Sequence, residues 1–151
     1  MRIPQDWQIR IIQLLAIPGI IIAYYLLLYH NGDLYSICEP GGFEDCGIVS
    51  GPGARYASVG PIPVALIGLV GYIVIFLTVW LAEWLDVVEN YIPEIMVGLT
   101  GIAFLFSTYL TILEIVVIHA YCRYCLMSAG IITIMLILAV SYLLKVNKQS
   151  E

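Results

Sequence analysis

An all-α integral membrane bundle of four transmembrane helices, with a cysteine-containing extracytoplasmic loop, is the fold this sequence predicts, and three observations predict it. Four long apolar stretches lie at about 11–29, 62–82, 95–118 and 122–146, each close to the ~20 residues that carry a helix across hydrocarbon. Of the 151 residues, 62% are hydrophobic and 11% charged, against roughly 25% charged in an average soluble domain. The mean hydropathy is +0.98, so lipid is the better solvent for this chain. The stretches show no alternation of apolar and polar residues, which excludes barrel strands. The whole chain, 1–151, reads as a single membrane domain. Its net charge of −5 carries no Lys/Arg cluster, which argues against a nucleic-acid partner.

The first stretch is too long for the apolar part of a cleavable signal, and no small-residue cleavage site follows it. Pro18-Gly19 falls inside it and predicts a bend, because proline removes a backbone donor. The segment at about 30–61 is rich in turn formers: Asn31-Gly32, Pro40-Gly41-Gly42 and Gly51-Pro52-Gly53. Loops of this length tend to be functional. Within it, 54–59 is expected to form one or two helical turns on the membrane surface. Gly60-Pro61-Ile62-Pro63 then opens the second span, since proline suits a helix start. Gly68, Gly71, Gly98 and Gly101 predict close helix contacts. The acidic link after the second span ends at Pro93, which again reads as a helix start. Trp80, Trp84, Tyr91 and Tyr121 read as interfacial anchors.

An even number of spans puts both termini on one side. Arg2, Arg10, Lys145 and Lys148 flank the terminal spans, while Arg55 and Arg123 lie opposite. This excess places both termini in the cytoplasm. The loop at 30–61 and the turn before the fourth span then face outward, and with them all four cysteines: Cys38, Cys46, Cys122 and Cys125. Outside the cytoplasm disulfides form and persist.

Cys122-Arg123-Tyr124-Cys125 is a C-x-x-C motif at the entrance to the fourth span. A helix starting near Cys122 brings both sulfurs to one face, and its N-terminal N–H groups favour thiolate. Cys38 and Cys46 flank seven residues that include two glycines and a proline, so this loop can close. An exposed disulfide there would be of the labile, exchange-active kind. Four cysteines allow three pairings. Exchange between a mobile pair and a fixed pair would move electrons from an outside thiol to Cys38/Cys46, then to Cys122/Cys125, then to a lipid-soluble acceptor, for which a quinone is the natural choice. Two blander readings compete. One is a non-enzymatic membrane scaffold stapled by structural disulfides; the other is a four-thiol zinc site, which an oxidising compartment and the flanking residues disfavour.

The ordered set of C-x7-C, then Ile48-Val49-Ser50-Gly51, then Gly60-Pro61-Ile62-Pro63-Val64-Ala65-Leu66-Ile67-Gly68, then C-x-x-C resembles the vitamin K epoxide reductase family over nearly the whole chain. The resemblance implies a four-helix bundle around a menaquinone, ubiquinone or vitamin K-type quinone, with no metal. It implies that Cys125 faces the quinone, that Cys122 is attacked by Cys46, and that Cys38 exchanges with an external thioredoxin-fold (DsbA-like) redox protein, supporting disulfide formation in secreted proteins. Ser128, Ala129 and Val64 are the further candidates for the quinone pocket, and Ser50 loosely matches the family's loop serine. Animal members hold the quinone with an Asn on the second span and a Tyr four residues after the last cysteine. Here that span has no Asn and that position is Ala129, so the resemblance favours quinone reduction over vitamin K epoxide reduction proper. A related redox architecture carries C-x-x-C in its first outer loop, the reverse of the order here.

The third span bears Ser107, Thr111 and Glu114 at helical spacing, a polar face. An ionisable residue inside a span is a functional candidate. Glu114 reads first as a boundary residue pairing with Arg55 or Arg123. Its second reading, shared with Ser50, is a proton relay to a reduced quinone, which takes up two protons. His119 is likewise a boundary residue first and a proton donor second.

Overall fold

The computed structural model describes residues 7–35 and 45–151. Cys38 lies outside the described residues. The elements run α1 (Trp7–Asn31), α2 (Cys46–Ser50), β1 (Ser58–Val59), β2 (Ile62–Pro63), α3 (Val64–Ala82), α4 (Asp86–Ile112), a π-helical turn (Leu113–Ile118) and α5 (Arg123–Ser150). Among the described residues four helices are long and apolar enough to cross a membrane. The protein is a membrane helical bundle: α1 packs on α3 and α5, and α4 packs on α5 and α3.

Each helix buries one seam and leaves the rest to lipid. Ile12, Ala16, Tyr72, Ile75, Met96, Met135 and Ala139 form the central seam. Leu14, Ile21, Ile102, Leu105, Ile134 and Ile137 stay exposed. In lipid, helix association rests on packing contacts because hydrocarbon is as apolar as the side chains. Hydroxyls in the spans are satisfied locally: Thr78, Thr100, Thr111, Thr133 and Ser141 each donate to the carbonyl four residues back. No water is needed to satisfy them in hydrocarbon. Arg10 pairs with Glu83 at one end of the bundle, tying the start of α1 to the end of α3. The other end carries the loop and the cysteines and is called the loop end below.

Four local expectations change. Helix α4 begins at Asp86, so Pro93 lies inside it. The reason is at the helix start: the N-cap position, Leu85, makes no side-chain cap bond, and Asp86 and Glu89 in the first turn complement the positive end of the helix dipole. Pro93 then costs a single bond, the one its missing N–H would have made to the Glu89 carbonyl. The segment 54–59 forms turns and strand β1 instead of helix. Gly60, at φ 63°, turns the chain so that Ser58 and Val59 pair antiparallel with Pro63 and Ile62, and the helical piece of the loop is α2. Gly68, Gly71, Gly98 and Gly101 face open space, with nothing within 4 Å of an added Cβ. The close approach is made by Gly19, where a Cβ would overlap the ring of Tyr72. Finally, Ala129 is not among the residues that line the cavity described below; its methyl group ends short of the space that Cys125 and Ser128, on the same stretch of α5, reach.

Candidate dithiol site

The loop end is assembled by a very short helix. Asp45 is its N-cap, with one carboxylate oxygen accepting from Gly47 N (2.9 Å) and Ile48 N (3.2 Å), the usual way an aspartate satisfies the orphan donors of a first turn. Gly47 fits closely there: a Cβ would lie 3.0 Å from the Asp45 carboxylate and 3.3 Å from the Tyr29 hydroxyl. Gly51 ends the helix, its N–H returning to the Gly47 carbonyl. Leu26, Tyr29, Val49, Ala120 and the two sulfur residues Cys46 and Cys122 pack into one buried cluster around it.

This packing brings α2 against the start of α5 at two points. Cys46 Sγ lies 3.4 Å from Cys122 Sγ, and Ser50 Oγ lies 3.6 Å from Cys125 Sγ. Residues four apart on α2 thus meet residues three apart at the start of α5, the two spacings that share a helix face. Cys46 is disulfide-bonded, whereas Cys122 and Cys125 are free thiols. Cys46 is 1% exposed and Cys122 0%. A thiol in van der Waals contact with a disulfide sulfur is placed for exchange, which proceeds by attack of thiolate on that sulfur.

Cys122 is the N-cap of α5. Its N–H donates to Glu114 Oε2 at 3.3 Å, and its carbonyl accepts from Leu126 N at 3.0 Å. The hydrogen bond from the Cys125 thiol pulls the Cys122 thiol below its ordinary pKa. The backbone N–H groups of Cys125 and Tyr124 add to this, against burial and the charge of Glu114. The sign is that of an activated nucleophile: thiolate at Cys122 is populated at lower pH than in a free cysteine. Position-resolved alkylation of the reduced protein with iodoacetamide should therefore show a Cys122 midpoint below the ordinary value of about 8.5. In Cys125→Ala the midpoint should rise, because the largest depressing contact is gone. A midpoint at or above about 8.5 in the unmodified protein would count against this activation.

Glu114 reaches this position because the end of α4 widens into the π-helical turn. His119 then caps it in the left-handed region at φ 56°, with its N–H on the Glu114 carbonyl. Histidine is among the residues that tolerate this conformation, and π-turns often mark functional sites. Glu114 is 4% exposed, so its carboxylate is buried within the bundle at the loop end. His119 Nδ1 lies 3.3 Å from the Val117 carbonyl.

Below the two thiols, between α1, α3, α4 and α5, is a cavity of about 410 Å³, within the range of small-molecule pockets. Cys125, Ser128, Ser50, Val64 and Glu114 all line it, as do Ser107 and Thr111. Tyr72 and His30 line it too and carry no motif that marks them. Tyr72 is a lone hydroxyl-bearing ring in an aliphatic run. Its hydroxyl lies 2.7 Å from Ser128 Oγ and 3.2 Å from the Ser128 carbonyl, two acceptors within reach of its one proton. Gly68 and Gly71 stand on the same wall, and their missing side chains add to the space.

The model of the vitamin K epoxide reductase family matches residues 10–140 of the chain. No curated relative matches it. The matched region takes in the second and third spans whole, most of the first and last, both cysteine pairs and the residues lining the cavity, and the chain therefore belongs to the vitamin K epoxide reductase family, whose members are membrane oxidoreductases acting on quinone-type substrates.

Proposed function

We propose that the protein is a quinone-dependent thiol–disulfide oxidoreductase that oxidises a thioredoxin-fold partner. The reading is carried by one observation: Cys122 Sγ touches the disulfide-bonded Cys46 Sγ at 3.4 Å, while its neighbour Cys125 lines the cavity. One sulfur of the pair thus faces the loop and the other faces a space of quinone size.

The partner's thiolate attacks the Cys38–Cys46 disulfide at Cys38 and leaves oxidised, so that Cys38 and Cys46 become thiols. Cys46 thiolate then attacks Cys122 of the Cys122–Cys125 disulfide, and Cys125 departs as thiolate beside the Ser50 hydroxyl. Cys38 resolves the Cys46–Cys122 bond, restoring the loop disulfide and leaving Cys122 and Cys125 reduced. A bound quinone supplies the acceptor for the two electrons and two protons released when Cys122 and Cys125 close again. The cavity fits such a group: its walls are mostly apolar, with Cys125, Ser128 and Glu114 as polar points. Glu114 takes the thiol proton at this end and carries it to the cavity, its carboxylate held by the Cys122 N–H. The basic residues at the chain ends support cytoplasmic termini and an outward-facing dithiol.

The test is to supply a reduced thioredoxin-fold protein with quinone and to follow quinol formation. No quinone consumption by the unmodified protein would leave the scaffold reading standing. Glu114→Gln keeps an acceptor for Cys122 N–H and removes the titratable group. It should lower the quinol-forming rate by about 10²-fold, the lower range for positioned acid–base catalysis, with Tm little changed. An unaltered rate would remove Glu114 from the relay.

A further inference from the structure

We propose that Ser128 donates the hydrogen bond that fixes a quinone carbonyl beside Cys125, and that Tyr72 is the positioning residue that turns the Ser128 hydroxyl toward the cavity. This rests on the quinone reading above and adds to it the residues that hold the ring.

Hydroxyls inside these spans ordinarily fold back on their own helix, as those of Thr78, Thr111, Thr133 and Ser141 do. Ser128 differs. Its hydroxyl sits 2.7 Å from Tyr72 Oη, on another helix. A serine hydroxyl has one proton and two lone pairs. The Tyr72 hydroxyl likewise has one proton, and it goes to the shorter of its two contacts, 2.7 Å to Ser128 Oγ against 3.2 Å to the Ser128 carbonyl; the Ser128 proton is then left for a third group, and the cavity is the space beside it. Tyr72 cannot swing away to release this arrangement. It is 3% exposed, and its ring rests on Gly19 of α1 so closely that a methyl group there would overlap it. Tyr72 donating to Ser128 also polarises the Ser128 O–H, because consecutive hydrogen bonds strengthen one another in a medium of low dielectric.

The placement along α5 suits a ring with an oxygen on it. Cys125 and Ser128 are three residues apart and both line the cavity, so their Cβ atoms are about 5–6 Å apart on one face. A planar ring lying against the sulfur then has a substituent oxygen within reach of the hydroxyl. The site therefore selects for hydrogen-bond-accepting rings over purely apolar ones of the same size. That selection is strong in a dry pocket, where an unpaired polar group is costly.

The experiment uses the purified full chain in lipid nanodiscs, with decylubiquinone as the probe and dithiothreitol as the donor. Ser128→Ala should raise the decylubiquinone KM about three- to tenfold, the range of one net hydrogen bond. It should also shrink the rise in Tm that decylubiquinone gives the protein with its cysteines oxidised, where no turnover occurs. Ser128→Thr, which restores the hydroxyl, should recover both. Tyr72→Phe keeps the ring on Gly19 and loses only the hydroxyl, and should raise KM by a similar factor. Combined with Ser128→Ala it should add nothing further, because Tyr72 acts through Ser128. If either single variant keeps KM within about twofold, or if the variants lower the ligand-free Tm while leaving the decylubiquinone-dependent rise intact, the pair is only an interhelical fastener and the inference fails with the quinone reading untouched. If the unmodified protein consumes no decylubiquinone, the quinone reading falls and this inference falls with it.

Discussion

Replacing Cys125 with alanine is expected to abolish quinol formation with every reductant, by about 10³-fold or more, the scale on which loss of a covalent nucleophile acts. The reason is its position. Among the described cysteines it is the one that lines the cavity, and without it Cys122 has no sulfur to close on, so two electrons cannot leave as a pair. Ser50 loses its sulfur contact in the same variant. The exchange step should survive, because Cys122 and Cys46 still touch, and non-reducing mass spectrometry should find a Cys46–Cys122 bond. Quinone absorbance measures the first effect. Sustained quinone loss in Cys125→Ala would mean that the electrons leave by another route.

Cys38→Ala is expected to separate the two halves of the relay. Turnover with the thioredoxin-fold partner should fall to background, since Cys46 is 1% exposed and sits against Cys122, out of reach of a folded donor. A small dithiol should retain part of its turnover, because it can reach the sulfurs that a protein cannot. The comparison needs one variant, two donors and the same absorbance trace. Equal loss with both donors would show that Cys38 does more than receive the partner's electrons. Full activity with both would remove the loop pair from the pathway.

Much of this architecture was legible because lipid leaves a chain so few options: four apolar stretches of near-spanning length have to be helices. The misreadings came where a local cue had two meanings. Pro93 looked like a helix start, yet Asp86 and Glu89, seven and four residues earlier, were the stronger signal and did start α4. The glycines of α3 and α4 looked like packing sites. Composition cannot say which face of a helix meets a neighbour, and these four meet open space while Gly19 carries the close contact. At the site, cysteine spacing pointed to the reactive sulfurs. It could not show that a five-residue helix places Cys46 and Ser50 on Cys122 and Cys125. Nor could it find Tyr72, whose partner Ser128 is 56 residues away, a contact created by packing alone. Glu114 was visible as a charge in a span, but its burial against Cys122 depends on the wide turn that ends α4.

That wide turn, Leu113–Ile118, makes the segment tolerant of side-chain exchange and intolerant of any change in length. A π-turn holds one residue more than the α-helical turn it replaces. Deleting a single residue between 113 and 118 would let the turn close to regular α-helical winding and remove the widening that carries Glu114 to the Cys122 amide. The Cys122 amide would then lose its carboxylate acceptor. Single-residue deletions here should therefore be far more damaging than apolar substitutions at Ile115 or Val116, which face outward.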